Sequence, residues 1–281
     1  MSKHFVQNST VRKLGLTAYR LRARSQFWRT GPRVFINSVP KAGTHLVTAE
    51  LAKVDQMQNS YLHLDNRRFS DSSDLSDGSG QIRLNVITAD IAKVQKGQFF
   101  TGHVAWDRGL EDMLREAGIK IVFVTRDPRA VLVSRYNYIL GLKRHWLHRF
   151  LNGYSKDPVE RYRLLIEGHM GTPKLLSTTD RLLAYIPWIE REIVHTIRFE
   201  DVVGTRGGRS DVQKEAELKL LATFLGLDVE DVESETLTRE TTSVTFRNGQ
   251  ADGWREELPA PVLKLMNQRC GEVIERMGYA I

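Results

Sequence analysis

The most constraining feature of this chain is a strand-like run that breaks at a glycine turn and then becomes helical. Residues 34–36 are β-branched and aromatic, which favours a buried parallel strand. Pro40 and Gly43 end that strand, and Thr44 is placed to cap a helix that continues to about Met57. The sequence therefore predicts a strand, a tight turn and a helix in immediate succession.

Such a junction binds anions, because the first backbone N–H groups of a helix have no partner within the helix. Lys41 adds a full positive charge beside them. The phosphate loop of nucleotide triphosphatases has the form G-x-x-x-x-G-K-[ST], whereas here the lysine precedes Gly43 by two positions. A phosphate or sulfate is the expected ligand, and a structural junction with an incidental lysine is the alternative.

A second segment has the same organisation. Residues 120–125 form an apolar strand that leads into Arg126, and Asp127 and Pro128 follow as a helix cap and first helical residue. Arg126 therefore lies at the carboxyl end of a strand, where open α/β sheets bind ligands. Ser134 follows about two helical turns later. Both side chains can reach one phosphate, unless Arg126 forms only a structural salt bridge.

Together these segments resemble the sulfotransferases that use 3′-phosphoadenosine 5′-phosphosulfate as donor. Residues 39–45 are similar to the 5′-phosphosulfate loop of that family, and residues 126–134 to its 3′-phosphate motif. A third match, residues 243–254, is similar to the family's Arg-Lys-Gly loop followed by Gly-x-Trp. The resemblance implies an α/β fold with a central, mostly parallel sheet flanked by helices, in the P-loop-like sulfotransferase architecture.

The resemblance also assigns roles to individual residues. The residues implied to hold the 5′-phosphosulfate are Lys41, Ala42, Gly43, Thr44 and His45. Those implied to hold the 3′-phosphate are Arg126, Ser134, Arg247, Asn248 and Gly249. Asn248 stands where the family often has lysine, so we expect weaker donor affinity. His45 replaces a frequent aromatic residue, and it either pairs with phosphate or caps the turn.

His103 is the candidate general base. A histidine suits this task because its ordinary pKa lies near neutral pH. It ends the predicted strand 98–103, where a histidine serves as base in the family that the chain resembles. Cytosolic members often carry a lysine two residues earlier, whereas this chain has Thr101, so a second cation is absent or comes from elsewhere. Some carbohydrate-modifying members use a carboxylate instead. Lys41 would stabilise the charge that develops on the leaving oxygen.

Other classes of function are less well matched. The chain has a single cysteine, Cys270, and no histidines or carboxylates at zinc-ligand spacing, so no metal is expected. A P-loop-like small-molecule kinase would need a magnesium-binding hydroxyl and carboxylate in a Walker arrangement. A non-enzymatic binder of anionic surfaces or nucleic acid would rely on basic residues alone. Interleaved aromatic residues and base-reading motifs are lacking, so no nucleic-acid partner is expected.

Alternating strand and helix patterns over residues 31–281 predict one sulfotransferase-like domain. With 281 residues, of which 41% are hydrophobic, the chain can bury a large core. Helices are predicted at residues 110–117, 128–142, 179–193, 211–225 and 261–277, and a further strand at residues 194–199. That strand leads into Glu200 and Asp201, and it resembles a Tyr-Glu-Asp strand end with Phe199 in place of tyrosine.

Residues 1–30 have the composition of a basic amphipathic arm. Nine lysines or arginines and no carboxylates precede Glu50, although the whole chain carries a net charge of only +7. Apolar residues recur at helical spacing among them, namely Val11, Leu14, Ala18, Leu21 and Trp28. The arm is interpreted as a helix on an anionic membrane surface, a transit peptide or a helix docked on the domain.

The sequence also gives broad expectations for the localisation of the protein and for the class of its acceptor. No secretory signal or apolar run of about 18 residues is present, which favours a cytoplasmic protein, peripheral at a membrane if the arm binds lipid. The acceptor is expected to be a small molecule, lipid or glycan, and no dimer signature is present. Residues 65–80 have the composition of a loop, either a lid or plain surface, and the aromatic stretch 136–154 lines an acceptor site or belongs to the core.

Overall fold

A single parallel sheet organises the part of the chain that the computed structural model describes, residues 30–65, 83–228 and 249–281. Its five strands are β1 (Val34–Ser38), β2 (Gln58–Asp65), β3 (Gln98–His103), β4 (Lys120–Thr125) and β5 (Val194–Arg198). They lie in the order β2-β3-β1-β4-β5, and every pair is parallel. This confirms the α/β fold with a central parallel sheet.

Both faces of the sheet are covered by helices, because its central strands are apolar on both sides. Phe35, Phe100 and Phe123 are fully buried on one face. Val34 and Ile36, their alternating neighbours on β1, are fully buried on the other face. The two cores are therefore separated by the sheet, and β1 contributes to both.

The helices that accompany the strands are numbered in chain order. They are α1 (Thr44–Leu51), α2 (Leu84–Ile91), α3 (Arg108–Glu116), α4 (Pro128–Gly141), α5 (Trp146–Tyr154), α6 (Pro158–Glu167), α7 (Thr178–Leu183), α8 (Ile186–Ile189), α9 (Phe199–Val202), α10 (Asp211–Leu225), α11 (Trp254–Glu257) and α12 (Ala260–Arg276). Across the described ranges, no helix has the length and apolar character that crossing a membrane requires.

The first predicted helix is shorter than expected. It ends at Leu51 rather than near Met57, and the chain then enters the edge strand β2, which the sequence did not predict. β2 has polar residues at most of its positions and an irregular register against β3 between Asn59 and His63. Apolar and polar residues alternate only in its second half, from Leu62 to Asp65, which is too short a stretch to have predicted the strand.

The predicted helix 179–193 is interrupted. Its apolar pattern continues, but the structure divides it into α7 and α8 with Pro187 near the start of the second helix. A proline lacks the N–H that a helix interior requires, so it is accommodated only in a first turn. Helices α2, α5 and α6 were not predicted, whereas α3, α4, α10, α12 and β5 agree with the prediction within two residues.

Candidate functional site

The carboxyl ends of the parallel strands bring the candidate residues to one edge of the sheet. Lys41 follows β1, His103 ends β3 and Arg126 follows β4, and these three strands are neighbours. The sequence placed each residue at a strand end. Only the strand order shows that β1 lies between the other two.

The turn after β1 has the geometry of an anion cradle. Lys41 and Gly43 adopt positive φ angles of 79° and 102°, and the N–H of Ala42 donates to the carbonyl of Val39 at 3.1 Å. Gly43, rather than Thr44, occupies the cap position of α1, and no side chain caps this helix. The predicted Thr44 cap is therefore wrong. The first N–H groups of α1 are left without a side-chain acceptor, as an anion-binding helix start requires.

Thr44 instead bonds back toward the strand. Its Oγ1 lies 2.5 Å from Oγ of Ser38, the last residue of β1. Thr44 is buried, so this hydroxyl pair fixes the start of α1 against the end of β1.

The charge of Lys41 is only partly compensated in the described structure. Its Nζ lies 4.2 Å from the centre of the Tyr138 ring, a cation–π contact. Burial lowers the pKa of Lys41, and the positive charge of Arg126 lowers it further. Two cations from different strands therefore repel each other across this edge, and an anion between them would relieve the repulsion.

Arg126 is held in place by two contacts, and one of its donors stays unpaired within the described structure. Its guanidinium stacks on the ring of Phe199 at 4.1 Å, and one terminal nitrogen donates to the carbonyl of Gln250 at 3.1 Å. Its Nε is buried and has no hydrogen-bond partner among the described residues. Burial lowers the pKa of Arg126, against the effect of Glu200 nearby. A buried, unpaired arginine donor at this position fits a phosphate.

A buried network behind Arg126 was not foreseen from the sequence. One oxygen of Glu200 accepts from the N–H of Asp127 at 3.0 Å, and the other accepts from the hydroxyl of Tyr279 at 2.9 Å. The Tyr279 hydroxyl also lies 2.9 Å from Oγ1 of Thr125. Burial raises the pKa of Glu200. The network ties the end of β4 to residues that are distant in the chain, so no local pattern could have shown it.

The start of α4 is fixed by a second buried contact. Asp127 caps the helix, and its carboxylate forms a two-point contact with Arg129 at 2.9 and 2.8 Å. The Arg129 guanidinium also lies 4.1 Å from Trp254, the tryptophan of the Gly-x-Trp motif. This tryptophan therefore supports the helix from behind.

The remaining candidates for the 3′-phosphate are only partly described. Ser134 lies half-buried on α4, and its contact with the same phosphate stays a prediction. Gly249 has a positive φ of 61°, and the next residue, Gln250, touches Arg126. Arg247 and Asn248 lie outside the described residues.

His103 is held at the end of β3 by contacts with Ser38. Its Nδ1 lies 3.1 Å from both the carbonyl oxygen and the Oγ of Ser38. The carbonyl can only accept, so the contact with it favours the tautomer with the proton on Nδ1. The lone pair is then on Nε2. Tyr185 donates to the His103 carbonyl at 3.1 Å and steadies the strand end. Burial, and then His63, lower the pKa of His103 to about 3, so the imidazole is neutral at pH 7.

Two further histidines lie near His103. His45 is exposed on α1, and desolvation and the charge of Lys41 lower its pKa. It forms no side-chain cap, which leaves its predicted contact with phosphate open. His63 on β2 was not among the predicted site residues. Its ring centre lies 5.0 Å from that of His103, and its Nδ1 lies 2.8 Å from Oγ1 of Thr101.

The predicted aromatic stretch divides between core and site. Tyr136 is buried and stacks on Tyr162 at 4.0 Å, as a core residue does. Tyr138 is exposed beside Lys41, and His145 packs edge-on against it at 5.5 Å. Across the described part of the chain, no cluster of three or more histidine, cysteine or carboxylate side chains could hold a metal.

Comparison with known proteins agrees with this geometry. The family model described as "Sulfotransferase domain" matches residues 31–278. Carbohydrate sulfotransferase 3 of Mus musculus is 28% identical over 173 residues, which are 58% of this chain and 34% of that protein. The chain thus spans about a third of the length of this curated relative.

Among solved structures, mouse sulfotransferase SULT7A1 complexed with PAP superposes with a TM-score of 0.56 at 15% identity. The match covers 88% of each chain. Retinol dehydratase in a complex with retinol and PAP gives a TM-score of 0.48 at 14% identity, covering 88% of this chain and 82% of that one. At such identities the likeness to SULT7A1 concerns the fold.

Proposed function

Because the chain belongs to the sulfotransferase domain family, we propose that it transfers a sulfuryl group from 3′-phosphoadenosine 5′-phosphosulfate to a hydroxyl or amine acceptor. The observation that carries this proposal is the pair of partly buried cations, Lys41 and Arg126, whose charges repel each other beside an uncapped helix start. An anionic ligand bound at this edge would relieve the repulsion between the two cations.

The two ends of the donor would be held by different strands. Lys41 and the N–H groups at the start of α1 would hold the 5′-phosphosulfate, together with Ala42, Gly43 and Thr44. Arg126 would hold the 3′-phosphate through its unpaired Nε, with Ser134 and Gly249 as further contacts. SULT7A1, which has a similar fold, was solved in complex with PAP, the desulfated donor.

His103 would remove the acceptor proton. As its Nε2 takes that proton, the acceptor oxygen forms a bond to sulfur, and the bond from sulfur to the 5′-phosphate oxygen breaks. The electron pair of the broken bond stays on the phosphate, where Lys41 stabilises the new charge. A pKa of about 3 makes His103 a weak base in the protein alone. The negative charges of the donor would raise this pKa and make the imidazole more basic.

The acceptor would approach from the solvent side of His103. The exposed Tyr138, and His145 beside it, offer an aromatic surface next to Lys41. Aromatic side chains of this kind pack against rings and sugars alike. The similarity to a protein named carbohydrate sulfotransferase 3 favours a sugar hydroxyl among the acceptors.

Thermal unfolding with adenine nucleotides tests the donor site. A ligand present at about 100 times its dissociation constant stabilises a protein by roughly 2.7 kcal/mol. We expect 3′-phosphoadenosine 5′-phosphate to raise the melting temperature clearly more than adenosine 5′-phosphate does. Arg126→Ala should remove the difference, whereas Arg108→Ala, which truncates an exposed arginine of α3, should preserve it.

Other outcomes would assign the protein to a different functional class or contradict the proposed donor site. Stabilisation by ATP only when magnesium is present would indicate a kinase. If neither nucleotide with a 5′-phosphate stabilises the wild-type chain, the proposed donor site is wrong. If 3′-phosphoadenosine 5′-phosphate stabilises the protein as expected, sulfuryl transfer itself is measured with labelled donor and a panel of phenol, sterol and sugar acceptors.

A further inference from the structure

The edge strand β2 brings an additional histidine to the proposed base. Its register against β3 is irregular between Asn59 and His63, and Tyr61 within this stretch has a positive φ of 59°. Such a conformation is strained for a bulky residue. Local hydrogen bonds hold it, since the Asn59 side chain accepts from the N–H of Tyr61 at 2.8 Å. Irregular strands of this kind often redirect a side chain next to an active site.

The irregular register decides where His63 lies. The four steps along β2 from Asn59 to His63 run beside only two steps along β3, so His63 pairs with Thr101 rather than with His103. Thr101 and His103 are two apart on one strand and share a face of the sheet. The hydrogen bond between His63 and Thr101 shows that His63 is on that face as well.

The position of Thr101 often carries a positive charge in the family that the chain resembles. Cytosolic members often carry a lysine where this chain has Thr101, so this strand lacks one cation. His63 lies against that threonine from the neighbouring strand, with Nδ1 2.8 Å from Oγ1 and its ring 5.0 Å from that of His103. Its ring is exposed, so a proton can reach it from solvent.

We propose that His63 supplies, from β2, the cation that Thr101 does not supply from β3, and that its charge adds to burial in keeping His103 in the neutral form that accepts the acceptor's proton. This inference rests on the proposed function of the site. His63 is a positioning residue in this scheme, since it acts on the reaction through His103.

The charges around His103 agree with this role. His63 is its strongest charged neighbour and disfavours a proton on His103. His45 on α1 acts in the same direction more weakly, and Asp65, also on β2, acts in the opposite direction. Ser38 on β1 contributes a hydrogen bond. Bound donor would add negative charge that favours protonation of His103, and a protonated His63 would offset that charge.

The scheme conserves the proton. The proton leaves the acceptor hydroxyl for Nε2 of His103 as the bond between the acceptor oxygen and sulfur forms. With His63 already protonated, the pair then carries two positive charges at about 5 Å. Their repulsion favours loss of the proton from Nε2 of His103 to solvent once the product has left, which restores neutral His103 beside protonated His63.

Titration of the imidazoles by NMR tests this proposal without an acceptor. The full-length chain, with labelled histidines and saturated with 3′-phosphoadenosine 5′-phosphate, is titrated from about pH 4.5 to about pH 8.5. We expect His63→Gln to raise the midpoint of His103 by roughly half a pH unit or more. The double variant His63→Gln with Thr101→Lys should return it to the wild-type midpoint or below, because the lysine restores the charge from the adjacent position.

Controls separate charge from packing. His169→Gln changes a histidine that is not among the charges acting on His103, so it should leave the titration unchanged. His63→Lys keeps a cation at position 63 and should keep the midpoint low. Should His63→Gln fold poorly, His63→Asn removes the charge with a smaller neutral side chain and gives the same test.

Three results would overturn the proposal. The first is a His103 midpoint that agrees within about 0.2 pH unit between wild type and His63→Gln, including the case in which neither titrates in this range. The second is a shift that Thr101→Lys does not reverse, since this would show an effect of packing. The third is a midpoint that shifts equally in His169→Gln. Failure of the wild-type chain to bind the nucleotide would instead contradict the proposed donor site. Titration of the histidines in the nucleotide-free protein would then still test the effect of His63 on His103.

Discussion

At the scale of single residues, the site is defined by charges that the described structure leaves partly unbalanced. Lys41 and Arg126 are neighbouring cations, the charge of Arg126 lowers the pKa of Lys41, and His103 is held neutral chiefly by burial. Their common surroundings are the carboxyl ends of β1, β3 and β4, where the start of α1 adds unpaired N–H groups. The two cations and the start of α1 therefore fit the anionic ligand that the proposed function requires.

His103→Gln tests the base directly. We expect turnover to fall by about 10²- to 10⁴-fold, because glutamine cannot take the acceptor's proton. Affinity for 3′-phosphoadenosine 5′-phosphate should be nearly unchanged, since His103 touches Ser38 rather than the phosphate-binding residues. Single-turnover kinetics and calorimetric binding measure the two effects. A turnover within about threefold of wild type, with His169→Gln as control, would remove His103 from this role.

The same histidine predicts how stability depends on pH. The pKa of His103 is about 3 in the folded protein and 6.5 without the fold. Between these values the unfolded chain binds a proton that the folded chain does not, so stability falls as the pH is lowered through this window. The slope from this residue is at most about 1.4 kcal/mol per pH unit. Urea unfolding between about pH 7 and pH 5 should show a shallower loss for His103→Gln than for His169→Gln.

At the scale of secondary-structure elements, two helices begin with the same local signal in different surroundings. Asp127-Pro128 starts α4 and Asp157-Pro158 starts α6, and both aspartates accept a hydrogen bond from the N–H two residues later. Asp127 is buried and paired with Arg129, whereas the contact of Asp157 is exposed. The local sequence thus determines the cap, and the surroundings determine what the cap contributes.

This pair of caps gives a matched prediction. Asp157→Ala should lower the free energy of unfolding by about 1 kcal/mol, the usual cost of a lost helix cap. Asp127→Ala should lower it by about 3–5 kcal/mol, because it also leaves the buried charge of Arg129 without its carboxylate. Urea denaturation of both variants measures the difference. Equal losses would show that the contact between Asp127 and Arg129 contributes little to stability.

At the scale of the whole molecule, Phe199 connects the turn after β1 with the end of β4. It follows β5, its ring stacks on Arg126, and it packs so closely on Gly43 that a Cβ at position 43 would overlap it. Nearly all of the basic arm 1–30, namely residues 1–29, and nearly all of loop 65–80 lie outside the described residues. Membrane association of the arm, its boundary with a single domain at residue 31 and cytoplasmic localisation therefore stay predictions.

Phe199→Leu should weaken nucleotide binding without removing any hydrogen bond. Loss of the cation–π contact, worth about 0.5–2 kcal/mol, should raise the dissociation constant of 3′-phosphoadenosine 5′-phosphate roughly 2- to 30-fold. Phe199→Tyr, which restores the residue of the resembling family, should bind at least as well as wild type. Isothermal titration calorimetry checks both variants. If the leucine variant keeps the wild-type affinity, Phe199 does not hold Arg126 for the ligand.

Much of the proposed donor site, at the carboxyl edge of the sheet, could be predicted from the sequence, because the patterns that mark its strands, turn and helix cap are local. Strand β1 and its turn, the Asp127 cap and the strand that ends in His103 all appear as expected. The Thr44 cap was wrong because the sequence does not show that Ser38 would take its hydroxyl. Strand β2 was missed because its first half is polar and only residues 62–65 alternate between apolar and polar side chains.

The sequence by itself determined the fold class and the residue types at the proposed donor site, since turns, caps and buried strands depend on neighbours a few positions apart. Only the tertiary structure decided which residues support them. His63 reaches His103 through the register of two strands, and Tyr279 reaches Glu200 across 79 residues of chain. Such contacts depend on strand order and on packing between distant segments, and these follow from burying the whole core rather than from any local pattern.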